Sequence, residues 1–281
     1  MFENVKNGWA VASAVRKLIF KDKRLFGYPI LSAVVSLAIA ALMFIPTFFL
    51  GYGNGSSVAY VIVLFAYYII VTFIGTYLLV AMLLAFRAYA GGKEMSMGEA
   101  LSQTSEYATL IFEWAVFYSI IMMLLRALES RSRGIGGLII SAVASFAISI
   151  AILFVIPVII DQKVGPIKAI ESSVKFIKDN LGASFGGLAY SDLYSMIFTF
   201  GGIALIAIGL LSGIPVIMIP LLAVGVGLFV VGALLGFMIS NVFRLILYDY
   251  KTTGKLPEGI DAKLVQSAIV TKTPGVMNGA L

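Results

Sequence analysis

The chain has 281 residues, 60% hydrophobic and 12% charged, with a formal net charge of +6. Soluble domains carry roughly 25% charged residues, and a chain of this length cannot hide so much apolar surface from water, so its solvent is lipid. The 20 basic residues flank apolar runs instead of forming a basic domain, which excludes nucleic acid and points to membrane orientation.

In chain order, the first segment places Phe2, Val5, Trp9, Ala12 and Ile19 near one face, with Arg16 and Lys17 among the polar positions. The first apolar run covers about 25–50. That is longer than the roughly 7–15 residues of a signal-peptide core, so it reads as a retained span. Further runs cover about 58–86, 108–128, 135–160, 190–212 and 216–248, each near or above the roughly 20 residues that cross a bilayer. Between the last two only Ser212-Gly213-Ile214-Pro215 intervenes, and a tight hairpin is the simplest reading; five or seven spans are the alternatives. Ser96-Met97-Gly98-Glu99 has capping-box spacing. Gly165-Pro166 opens a third polar–apolar segment, with Pro suited to a first helical turn. Val164, Ile167, Ile170, Val174, Ile177 and Leu181 recur every three or four residues there, opposite Lys168, Glu171, Lys175 and Lys178.

The expected fold class is all-α: a polytopic membrane protein of about six transmembrane helices as three hairpins, each entered through an interfacial amphipathic helix. The hairpins with their entry helices would be loose repeats at 1–89, 96–160 and 164–250 within one transmembrane domain, 1–250. The polar stretch 251–281 is expected to be a cytoplasmic tail. With the N-terminus inside, only Arg126, Arg131 and Arg133 among the basic residues fall outside, so a cell-membrane protein with both termini cytoplasmic is expected.

No Cys and no His occur. This removes thiolate nucleophiles, the commonest zinc ligand, the usual ligands of haem and iron–sulfur clusters and the ordinary general base. No catalytic, cofactor-binding or metal-binding residue is expected, and the chain does not read as an enzyme. Charges inside spans are the usual functional signal in membrane proteins. Here the polar candidates Glu113, Asp161, Asp192, Asn241 and Arg244 fall toward span ends, where long side chains can reach the interface. Glu99, Glu106 and Glu113 would share one face of a continuous helix. Ser141, Ser145 and Ser149 share a face of span four, and Gly225, Gly232, Gly236 and Ser240 a face of span six. Such stripes permit close helix packing; serines lining a polar cavity are the alternative. Trp9, Trp114, Tyr28 and Tyr250 fit an interfacial aromatic belt.

The segment Phe154-Val155-Ile156-Pro157…Asp161…Gly165-Pro166…Ala169…Ser173…Asn180, with Trp9 and Pro29-Ile30-Leu31-Ser32, resembles a broad family of uncharacterised prokaryotic membrane proteins with about six spans. More distantly it is similar to the membrane domain fused to some glycerophosphodiester phosphodiesterases. The resemblance implies an architecture and no established activity. The expected function is therefore a membrane scaffold, assembly factor or accessory subunit, with a small-solute or lipid transporter or channel as the alternative. An enzyme acting on lipid headgroups through Glu113, Asp161 and Asp192 ranks third. The expected partners are the bilayer and other membrane protein subunits.

Overall fold

The computed structural model describes residues 2–49, 58–131, 134–179, 181–258 and 260–269. The loop 51–57, Arg133, Asn180 and the tail beyond 269 lie outside the described residues, as do the side chains of Phe2, Val5, Arg131 and Leu181. The helices are α1 (Phe2–Lys21), α2 (Gly27–Phe49), α3 (Val58–Ala90), α4 (Met97–Thr104), α5 (Ala108–Arg131), α6 (Gly134–Ala151), α7 (Val155–Gln162), α8 (Pro166–Asp179), α9 (Leu181–Ser212), α10 (Pro215–Thr253) and α11 (Ala262–Ile269). Short 3-10 turns lead into α2 at Lys23–Phe26 and join α4 to α5 at Ser105–Tyr107. Six stretches are long and apolar enough to cross a membrane: Lys23–Ile45, Tyr60–Ala90, Met97–Glu129, Ile139–Gln162, Leu188–Ser212 and Pro215–Thr253. The protein is thus a helical multi-pass membrane protein.

Local chemistry explains where the helices begin and end. At α4 the capping box forms as its spacing predicts. Glu99 N–H donates to Ser96 Oγ at 3.2 Å, and Ser96 N–H donates to Glu99 Oε2 at 2.7 Å. Ser96→Ala removes one half of this exchange and is expected to cost about 1 kcal/mol locally, read as faster amide hydrogen exchange in the first turn of α4. The last two spans are separate helices. Gly213 turns with φ +61°, a conformation that suits a residue without Cβ, and Pro215 opens α10.

The chain divides into two compact units, Asp22–Ile177 and Met1–Lys21 with Lys178–Leu281. In the first, α3 is the central helix and packs against α2, α4 and α5, while α6 packs against α5. The most buried part of α3 runs from Val80 to Phe86. Tyr77 Oη donates to the Leu101 carbonyl at 2.8 Å and ties α3 to α4. Trp114 and Tyr28 are buried, at 5% and 2% exposure. They belong to the core and not to an aromatic belt. Trp114 instead stacks near Phe117 and Tyr118.

In the second unit α9 and α10 pack along their lengths, and α1 packs against both and against α11. The buried side of α1 is Val11, Ala12, Val15, Leu18 and Ile19. Trp9 is 41% exposed and meets Tyr190 edge-on at 4.8 Å. The Arg16 guanidinium lies over the Tyr194 ring, 4.6 Å from its centroid. Arg16 thus sets its guanidinium against an aromatic face on a packed helix. The helix α11 falls within the stretch read from sequence as tail.

The stripe of small residues on α10 is a packing surface. A Cβ on Gly225 would stand 2.8 Å from the Gly202 carbonyl oxygen, and one on Gly232 would stand 2.6 Å from Thr199 Oγ1. Ser191 Oγ donates to the Gly236 carbonyl at 3.0 Å across the same seam. Close backbone approach of this kind supplies dispersion contacts where lipid offers no hydrophobic drive between helices.

Candidate functional site

The fourth span is not one helix. It is interrupted at residues 152–154, between α6 and α7. Pro157 accounts for the break: it has no N–H for the Leu153 carbonyl one turn earlier, and its ring crowds that carbonyl. The chain tightens instead, with Leu153 N–H donating to Ile150 at 3.1 Å and Val155 N–H to Ile152 at 3.2 Å. The N–H of Phe154 turns away and donates to Ser173 Oγ on α8 at 3.1 Å. Ser173 is fully buried, and Phe154 packs on Phe176 with ring centroids 4.5 Å apart. A break inside a membrane span is tolerated when its freed backbone groups find protein partners, and here α8 supplies one.

α8 packs into the protein along a side that shares only Ile177 with the apolar stripe read from sequence. Its buried side is Ala169, Ser173, Phe176 and Ile177, whereas Ile167 is 71% exposed. The apolar stripe read from sequence did not include Ser173, which on this buried side accepts from the Phe154 N–H.

Above the break, α3, α5 and α6 line an open cavity of about 220 Å³, in which Arg126, Glu129 and Ser149 are exposed. Its polar wall is Tyr68, Tyr118, Arg126, Glu129, Ser145 and Ser149, and its apolar wall is Met122, Leu125, Ile148 and Ile152. Ile152 is the first residue of the break, so the cavity and the discontinuity adjoin. Arg126 Nη1 donates to Tyr68 Oη at 3.2 Å, which draws the guanidinium along α3 into the cavity wall. No ion pair joins Arg126 to Glu129 among the described residues, so the arrangement presents one cation, one anion and several hydroxyls to an occupant. Two of the three serines on the α6 stripe, Ser145 and Ser149, line it; Ser141 is buried elsewhere on the helix.

The residues singled out from sequence lie in both units. Glu113 and Asp161 belong to the first. Glu113 is exposed, and its Oε2 lies 3.3 Å from where a Cβ on Gly165 would stand. Asp161 is exposed near the end of α7. The acidic stripe does not form a continuous face, because the 3-10 turn interrupts the helix after Thr104. Glu99 is engaged in its capping box, and Glu106 pairs with Lys163 at 3.5 Å.

Asp192, Asn241 and Arg244 belong to the second unit. Asp192 and Arg244 attract each other electrostatically, and the buried Arg244 Nε has no hydrogen-bond partner among the described residues. Asn241 Nδ2 donates to the Phe237 carbonyl of its own helix at 2.8 Å. None of these residues lines the cavity.

Residues 58–257 match the model of a family of unknown function, DUF6159. The chain belongs to that family. The DUF6159 match runs from α3 through α10. It therefore contains the whole cavity wall, the broken span, the Ser173 brace and the interfacial polar residues; α1, α2 and α11 lie outside it. No curated protein and no solved structure matches the chain. Nothing in these comparisons supports the likeness to the membrane domain fused to glycerophosphodiester phosphodiesterases. Membership in DUF6159 supplies no activity, so the functional reading rests on the cavity.

Proposed function

We propose that the protein is a non-catalytic membrane protein that holds a small amphiphile, a lipid headgroup or a polar solute, in the cavity among α3, α5 and α6. The observation that carries this reading is the composition of the wall. Arg126, Glu129, two tyrosines and two serines line one cavity together with Met122, Leu125, Ile148 and Ile152. Pockets with a few convergent polar groups among apolar walls are where small ligands bind, and discontinuous helices frequent such sites in membrane proteins. With no thiol or imidazole in the chain, holding or passing a ligand suits these residues better than turning one over.

In this reading the protein sits in the cell membrane with both termini cytoplasmic, as its basic residues favour. The entry helices α1, α4 and α8 lie toward the headgroup region, where the exposed Ile167 of α8 faces lipid.

The scaffold reading has its own support. Backbones that meet at Gly202 and Gly225 leave α9 and α10 no room to slide. A locked pair suits a fixed post for other membrane subunits better than a moving gate.

Native mass spectrometry of the purified chain tests the cavity reading. The wild type should retain one adduct after annular lipids are stripped. Ser145→Phe, which fills the cavity, should lose it, whereas Ala147→Phe, on the exposed side of the same helix, should keep it. Equal retention by both variants, or no adduct on the wild type, would contradict the proposal.

A further inference from the structure

The order of charges along α5 narrows the occupant, an inference that rests on the cavity being a ligand site. Arg126 and Glu129 both line the cavity. Glu129 stands near the C-terminal end of α5, which runs to Arg131. Arg126 is nearly one turn nearer the membrane interior, a rise of about 4.5 Å, and its guanidinium is drawn toward Tyr68 by the hydrogen bond at 3.2 Å. The cation is therefore inner and the anion outer. An ordinary acidic phospholipid would satisfy Arg126 and be repelled by Glu129. A free cation would meet the reverse. A zwitterion whose negative end lies deeper than its positive end satisfies both.

A phosphoethanolamine headgroup has that order. Its phosphate is attached to the glycerol, next to the hydrocarbon, and its ammonium is carried outward on a two-carbon link of about one helical turn. In either leaflet the ammonium is the outer charge, so the argument does not depend on which way the protein faces. Guanidinium and phosphate pair through parallel N–H···O bonds, and Ser145, Ser149, Tyr68 and Tyr118 offer hydroxyls to the remaining oxygens. A quaternary ammonium could meet the Glu129 charge but could not donate a hydrogen bond to it, so a primary amine fits the carboxylate better.

We infer that the cavity takes a zwitterionic phosphoethanolamine headgroup, with the phosphate on Arg126 and the ammonium on Glu129.

The test uses the full chain in nanodiscs made from equal parts phosphatidylethanolamine and phosphatidylglycerol, followed by release into the mass spectrometer. The wild type should retain phosphatidylethanolamine over phosphatidylglycerol at a ratio of about ten to one. Glu129→Gln should abolish that preference while still retaining a phospholipid, and Glu129→Lys should reverse it toward phosphatidylglycerol. Arg126→Gln should lose both lipids, and Arg126→Lys should partly restore retention.

Melting temperatures of the variants distinguish a lost ligand from a lost fold, and the gain expected of Glu129→Lys cannot arise from unfolding. A second arm adds soluble phosphoethanolamine to delipidated protein. Stabilisation by it, with no diacyl lipid retained, would identify the free headgroup as the source of the same chemistry. Retention of both lipids in bilayer proportion by the wild type, unchanged by Glu129→Gln, would overturn the inference. If the cavity-filling Ser145→Phe also left that retention unchanged, the cavity would not be the ligand site at all.

Discussion

Gly232→Leu is expected to lower the melting temperature of the detergent-solubilised protein by about 10 °C, whereas Gly227→Ala leaves it unchanged or slightly raised. The two positions are on one helix and differ in what a side chain would meet. A Cβ on Gly232 would stand 2.6 Å from Thr199 Oγ1 and 2.9 Å from the Ser195 carbonyl oxygen; one on Gly227 meets nothing within 4 Å. Thr199 is itself held, its Oγ1 donating to the Ser195 carbonyl at 3.0 Å, so the obstacle is backbone and a tethered hydroxyl. A leucine there must force α9 from α10, at a cost of about 3 kcal/mol. Gly227→Ala removes the entropy penalty of an interior glycine, a gain of roughly 0.5–1 kcal/mol. Gly202→Leu and Gly201→Ala repeat the contrast on α9, where a Cβ on Gly202 would lie 2.5 Å from the Gly225 carbonyl oxygen and one on Gly201 meets nothing. Thermal melts of the four variants check this. Equal effects at the crowded and open positions would show that the seam between α9 and α10 is not closed by glycine.

The second large effect is expected at the broken span. Ser173→Val keeps the shape of the side chain and removes the acceptor used by Phe154 N–H. Both residues are fully buried, so the donor is stranded at a cost of about 1–3 kcal/mol. The Phe154 amide should then exchange faster with solvent. Ile152 belongs both to the break and to the cavity wall, so ligand retention should also fall. Ser173→Thr should preserve both properties. Pro157→Ala would return an N–H to the Leu153 carbonyl and allow the span to close into one helix. Ser173→Val should therefore cost less on the Pro157→Ala background than alone, a non-additivity that a thermal double-mutant cycle measures. Strict additivity would mean that Ser173 and Pro157 do not serve the same joint.

Much of this architecture is legible in the chain. Hydropathy alone places the six spans, the Ser96–Glu99 spacing places the start of α4, and the Gly213–Pro215 break separates α9 from α10. These are local signals, each carried by a few neighbouring residues. The break at 152–154 is less legible, because Pro157 stands within a run apolar enough to read as one span. Its brace is not legible at all, since Ser173 lies 19 residues away and nothing in its local sequence marks it as the acceptor. The cavity is of the same kind. Tyr68, Arg126 and Ser145 come from three separate spans, and nothing in their local sequence says that they meet. The serine stripe allowed for a cavity but equally fitted packing, and the structure divides it between the two. The in-span charges drew attention to Glu113, Asp161, Asp192, Asn241 and Arg244, whereas the charges that line a cavity are Arg126 and Glu129, at a span end where interfacial anchoring is the ordinary explanation.

The most direct test of the cavity uses a property of the natural chain, which has no cysteine. Ser145→Cys introduces a single thiol into the cavity wall, and Ala147→Cys introduces one on the exposed side of the same helix at nearly the same depth. A charged, water-soluble thiol reagent reacts with thiolate, which needs water and a polar setting to form. In membranes, Ser145→Cys should be labelled many times faster than Ala147→Cys, and phosphoethanolamine or its lipid should slow only the former. Equal inertness of the two thiols, or labelling of Ala147→Cys alone, would show that α3, α5 and α6 enclose no accessible polar site.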